Sequence, residues 1–171
     1  GPRLNACGRM GHAREAVELL TVARGERAME IAANLTRQND ERRRIEREIF
    51  EQACAKAEAA GMTAPDRRAI VLADPGWHPG VVGIVCSRLV ERYHRPAILM
   101  RDHDGSCHGS GRSVDGFSLH GALSRCAEHL AQFGGHDMAA GLRVDAAKLD
   151  AFTQAFVDVA NSQIAPDKLT G

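Results

Sequence analysis

The sequence predicts an α/β domain with a mixed β-sheet flanked by helices, preceded by a long connecting helix. Three observations carry that reading. Short apolar runs of strand length alternate with amphipathic stretches through the second half of the chain, the pattern of strands sheltered by helices. Residues 26–60 contain neither Gly nor Pro and carry apolar side chains near the 3.6-residue helical period. The chain has 171 residues, 44% of them hydrophobic, which suffices for one buried core.

The elements follow in order. Residues 1–12 are Gly-rich and polar and read as irregular chain. Residues 13–23 suit a short helix with Ala16, Leu19 and Leu20 on one face. In the long helix, Ala28, Ile31, Ala32 and Leu35 form one apolar patch and Ile45, Ile49 and Ala53 another, with Gln38, Asn39 and Arg42 between them. Gly61 supplies a stop signal. At 1.5 Å per residue such a helix is about 50 Å long, more than one small domain can cover, and its polar middle predicts a helix that bridges two bodies.

Residues 69–73 (AIVLA) read as a buried strand, broken by Asp74-Pro75-Gly76. Pro79 is expected in the first turn of a helix over 80–93, with Val81, Val82, Ile84, Val85, Leu89 and Val90 inward. A strand over 96–101, a turn at 102–105 and a return strand over 106–112 come next. An amphipathic helix over 118–131 ends at Gly134-Gly135, a strand covers 138–144, and a helix covers 146–162. The final APDKLTG reads as a frayed tail. The expected divisions are 1–25, 26–61, 62–164 and 165–171.

Composition narrows the function. Lys plus Arg and Asp plus Glu both number 22, so net charge is zero and bulk electrostatics does not drive nucleic-acid binding. Arg nevertheless dominates the cations, and its fork suits phosphate. No apolar run reaches the roughly 18 residues of a membrane span, and no secretory leader opens the sequence. The five cysteines form no CxxC pair and read as reduced thiols of a cytoplasmic protein. The first residue is Gly, not Met, so the chain is expected to be part of a longer protein.

Four segments offer anion-binding chemistry. Trp77-His78-Pro79-Gly80-Val81-Val82-Gly83 joins a strand to a helix N-terminus, where unpaired N–H groups and the helix dipole favour an anion, with His78 as a contact or as a polar cap. Gly109-Ser110-Gly111-Arg112-Ser113 can form a backbone nest with an Arg fork, or a plain turn. Phe133-Gly134-Gly135-His136 puts an imidazole beside two glycines, ahead of the small residues Ala139, Ala140 and Gly141. At the start, Arg3, Asn5 and Arg9 lie in a Gly-rich frame. Asp102-His103-Asp104 has metal-ligand chemistry but sits at an expected hairpin tip, where Asp and Gly are ordinary turn residues. There is no Walker loop, HExxH or Ser-His-Asp signature. Such a set suits a phosphate-gripping half of an active site.

The strings GPRLNACGRM, WHPGVVGIVCSRLVERYHRPAILM, GSGRS and FGGHDMAAG, in this order, resemble the RecJ family of single-strand-specific 5′→3′ DNA exonucleases within the DHH/DHHA1 phosphoesterase superfamily. The resemblance runs from Gly1 to about Val159. It implies a DHHA1-like substrate-binding domain over 62–164, facing an N-terminal DHH domain that holds two manganese or magnesium ions and activates water. It implies that His78, Arg112, Ser113 and His136 contact substrate phosphates, that Ser110 and the Gly134-Gly135 backbone support them, and that Arg3, Asn5 and Arg9 face the same cleft. The DHH motif is not in the sequence, so the resemblance implies no catalytic residue or metal ligand here, no nuclease activity of this chain alone, and single-stranded DNA as its partner. A small-substrate phosphoesterase of the same superfamily, acting on oligoribonucleotides or nucleotides, and a non-catalytic nucleic-acid-binding module are the alternatives.

Overall fold

The computed structural model describes Pro2, Asn5, residues 13–21 and residues 24–169. Two compact bodies emerge, residues 1–48 and 49–171. The division falls inside the long helix rather than at either end of it.

In the first body, helix α1 (Ala13–Thr21) packs on the start of α2 (Gly25–Ala59). Ala16 and Leu19 lie against the buried Ile31 and Leu35. Arg27 joins Glu18 at 2.8 Å. The polar stretch of α2 is held by pairs one helical turn apart: Arg42 with Glu46 at 2.7 Å, and Arg44 with Glu41 at 2.5 Å and Glu48 at 2.6 Å. Charge pairing along its own surface is what lets a helix continue where the apolar stripe lapses.

The second body begins with the last turns of α2, which end at Gly61 where the Met62 N–H bonds the Ala57 carbonyl at 2.8 Å. Then follow β1 (Ile70–Asp74), α3 (Val82–Tyr93), β2 (Ala97–His103), β3 (Ser106–Arg112), α4 (Leu119–Arg125), β4 (Gln132–Gly135), β5 (Ala139–Asp145) and α5 (Leu149–Gln163), with short 3-10 turns at Ala127–His129, Ala146–Lys148 and Pro166–Leu169. The sheet order is β1-β2-β3-β5-β4. Only the β1–β2 pair is parallel, so the sheet is mixed as expected, and α3 is the crossover between those two strands.

Alternation along the strands sorts the side chains. Val71, Ile98, Met100, Cys107, Ala140, Leu142 and Val144 point to one face, where α4 and α5 cover them with Leu119, Leu123, Phe152 and Phe156. Phe156 meets Phe117 edge-on, ring centroids 6.1 Å apart. On the other face, α3 covers β2 and β3 with Val82, Val85, Cys86 and Leu89. The end of α2 reaches the same neighbourhood: Gln52 accepts from the buried Trp77 indole at 2.9 Å, and the Arg88 guanidinium lies 4.0 Å from the Phe50 ring. Arg95, almost wholly buried, donates to the carbonyls of Met62, Ala64 and Arg67 and ties the α2–β1 loop down. Burial lowers the pKa of its guanidinium. Cys54, Cys86, Cys107 and Cys126 are free thiols, all buried.

Several expectations need correction. The helix expected over 118–131 stops at Arg125, and the Gly134-Gly135 segment belongs to the edge strand β4, antiparallel to β5. A four-residue strand containing two glycines has no periodicity to betray it, and pairing with β5 decides its conformation. Pro79 lies in the turn before α3, not in its first turn, because the Val81 and Val82 N–H groups both fold back on the His78 carbonyl. The tail is not frayed through Leu169: that side chain is buried in the core beneath the Pro166–Leu169 turn.

Candidate nucleic-acid interface

Beyond the edge of α3, which reaches Ser110 and Arg112 of β3, the outer face of β5 and β4 is bare. Ser110 pairs with Gly141, and Gly141 with Gly134, so one cross-strand row consists of Ser, Gly and Gly. That row forms a trough floored by backbone. Along the strands on one side lies the row of Arg112 and Ala139, with His136 at the hairpin end, and on the other the row of His108, Arg143 and Gln132. Gly141, Gly134, His108, Arg143, Gln132 and His136 are all exposed.

Arg112 is held in place from below. Its Nη1 donates to the Gly111 carbonyl at 2.7 Å. Its Nη2 lies 2.9 Å from where a Cβ on Gly83 would stand, so the bare Cα of that α3 residue is what admits the guanidinium. The Cys86 thiol, one turn further along α3, donates to the Ser110 carbonyl at 3.3 Å. Burial pushes that thiol up to about 12, so it acts as a donor and not as a nucleophile.

His78 occupies the turn before α3. Its Nδ1 accepts from the Gly80 N–H at 3.0 Å, which in the neutral ring leaves the proton on Nε2 as a donor. Val81, at the helix N-cap, provides no side-chain acceptor, so the positive end of α3 has no side-chain cap. Asp74, just upstream, is joined to Lys56 at 2.5 Å, and that ammonium holds its carboxyl below the usual aspartate range.

Gly135 closes the hairpin that presents His136. Its φ of +141° is one L side chains rarely adopt, and a Cβ there would sit 2.5 Å from the Ala139 carbonyl oxygen. The adjacent His136 N–H donates to that same oxygen at 2.8 Å.

The structure therefore brings Ser110, Arg112, Gly134, Gly135 and His136 to one sheet end, with His78 at the turn leading into the helix that flanks them. Ser113 does not join them: it is buried, and its hydroxyl donates to the Phe117 carbonyl at 2.7 Å. Asn5 is exposed in the first body, and Arg3 and Arg9 lie outside the described residues. Sequence reasoning missed Arg143, His108 and Gln132 as neighbours of the trough. Asp102 and His103 lie at the end of β2, and Asp104-Gly105 form the two-residue turn, with His103 and Asp104 paired at 3.1 Å. Among the described residues no group of three or more His, Cys, Asp or Glu side chains comes together to hold a metal ion. No described helix is long and apolar enough to cross a membrane.

The stretch that carries this five-stranded mixed sheet is a DHHA1 domain: the DHHA1 family description matches residues 66–162, and the chain belongs to that family. Its particular relatives are single-stranded-DNA-specific exonucleases named RecJ. The chain is 44% identical over 147 residues to RecJ of Bacillus subtilis (strain 168), and 37% identical over 179 residues to RecJ of Salmonella typhimurium. It spans 18% and 31% of those relatives' lengths, and they align with 85% and 100% of it. The crystal structure of RecJ in complex with Mg2+ from Thermus thermophilus superposes with a TM-score of 0.85 at 34% identity, covering 96% of this chain and 25% of that one. A crystal structure of exonuclease RecJ bound to manganese superposes with a TM-score of 0.84, also at 34% identity, covering 98% of this chain and 41% of that one.

Proposed function

We propose that this chain is the backbone-gripping part of a RecJ-like 5′→3′ single-stranded-DNA exonuclease of the cytoplasm. In this reading His78, Arg112 and His136 meet the substrate's phosphates, Ser110 and the Gly134-Gly135 backbone support them, Ser113 braces the loop behind Arg112, and Arg3, Asn5 and Arg9 add further substrate contacts. The observation that carries it is the Ser110–Gly141–Gly134 row: with no side chain larger than the Ser110 hydroxymethyl to hold it off, a sugar–phosphate chain can approach the sheet closely enough for the Arg112 fork and the His78 Nε2–H to donate to phosphate oxygens. Hydrolysis of the phosphodiester bond is assigned to a separate DHH domain carrying manganese or magnesium, and this chain alone has no nuclease activity. The trough carries no stacking platform, so binding is indifferent to base sequence and weakens with salt.

The test is a titration of a 5′-phosphorylated single-stranded oligonucleotide by fluorescence anisotropy at low salt. Arg112→Ala is expected to weaken binding about tenfold and to lower the salt slope by about 0.7. An Arg112→Ala protein that is folded and binds like wild type overturns the reading.

A further inference from the structure

We infer that the cavity beside the trough, lined by His108, Gln132 and Arg143, is a second phosphodiester subsite on the same strand path. This inference rests on the backbone-binding reading and extends it along the sheet. The cavity has a volume of about 270 Å³ and shares Gly134 and Gly141 with the trough floor. His108, Arg143 and Gln132 are direct cross-strand partners, so their side chains leave the sheet on one face and in one row. Leu142 and Val144, on either side of Arg143, turn into the core, which fixes Arg143 outward. No ion pair engages Arg143 among the described residues.

The geometry distinguishes a second contact from a spare hand on the first. Arg112 and His108 stand four residues apart on β3, about 13 Å at the rise of an antiparallel strand. One phosphate cannot touch both rows, whereas a strand laid lengthwise along β3 and β5 meets them in turn, with the Ser-Gly-Gly floor between. The row beyond, Ser106 and Asp145, brings a carboxylate and ends the run of cations. The ligand is backbone and not a base: Phe133 and Leu142 also border the cavity, but they pair on the core face, where the Phe133 ring lies beside His120 at 5.9 Å, and no Phe, Tyr or Trp ring stands in the outward row. An Arg fork with an imidazole and a carboxamide suits phosphate oxygens.

The experiment titrates a ten-thymidine oligonucleotide into wild type, Arg143→Ala, Arg112→Ala and the double variant across a salt series. Arg143→Ala is expected to weaken binding about threefold to tenfold and to reduce the salt slope by about 0.7. The two losses multiply in the double variant, as separated contacts do. Arg143→Lys keeps most of the salt slope. If Arg112→Ala weakens binding while Arg143→Ala stays within about twofold of wild type, the second subsite is overturned and the backbone reading stands. If neither variant departs from wild type, or wild type itself does not bind, the backbone reading falls and takes the subsite with it.

Discussion

The two faces of the sheet are built from the same strands and behave as opposites. On β3, Cys107 enters the core while His108, Ser110 and Arg112 face outward. On β5, Leu142 and Val144 are buried, while Gly141 and Arg143 are exposed. The inner face spends its side chains on filling volume against α4 and α5. The outer face, past α3, gives one row to Ser and Gly alone and sets cations in the next. Small residues differ in meaning accordingly: Ala140 fits beneath α4, whereas Gly134 and Gly141 leave the backbone within reach of a ligand. If stability lives on one face and binding on the other, substitutions should separate the two.

The largest effect belongs to the inner face. Phe156→Ala removes a wholly buried ring from contact with Phe117 and Phe152 and should cost about 3–5 kcal/mol in chemical denaturation. Oligonucleotide affinity measured under conditions where the variant stays folded should be unchanged. A matching loss of affinity would show that the two faces are mechanically coupled.

Gly83→Ala should do the reverse. Ala is the better helix former by about 1 kcal/mol, so the thermal midpoint should hold or rise. The new methyl meets the movable end of Arg112 and displaces it, so affinity should fall at least about threefold. Unchanged affinity would mean that the rotamer of Arg112 seen here is not the one that binds.

The smallest effect tests the seam between α2 and β1. Lys56 and Asp74 are both partly exposed, so Asp74→Asn should cost less than about 1 kcal/mol near neutral pH. Because Lys56 depresses the pKa of Asp74 in the folded state, that stabilisation is present above the ordinary carboxylate value of about 3.9 and fades as pH falls through the lowered one. Denaturation curves of wild type and variant should therefore converge in acid. A difference that persists there would assign the role to the Asp74 hydrogen bond with the Gly76 N–H instead.

Much of this was legible beforehand. The β1–α3–β2 crossover, the hairpin at Asp104-Gly105 and the final helix all announce themselves through periodicity and turn chemistry. Strand β4 does not, because its identity is conferred by β5. What the strings do not reveal about the trough has one physical cause. Arg112 and Ser113 are neighbours in a suggestive string, as are Gly134 and Gly135, but a strand sends consecutive residues to opposite faces. Gly134 pairs with Gly141 on the trough side, while Gly135 pairs with Ala140 towards the core. Arg143 belongs to no string at all. Its signal was alternation: an Arg between two aliphatic residues, two positions beyond a glycine.

The buried thiols have a consequence of their own. Desolvation raises the pKa of Cys86 to about 12 and of Cys126 to about 11, and it raises that of Cys107 too. Thiolate is then scarce, and reagent has no path to the sulfur while the fold is closed. Cys54 near the end of α2, Cys86 on α3, Cys107 in mid-sheet and Cys126 behind α4 thus sample four places in the second body. Alkylation at each would proceed only when its surroundings part, so site-resolved labelling rates would act as four internal clocks of local opening.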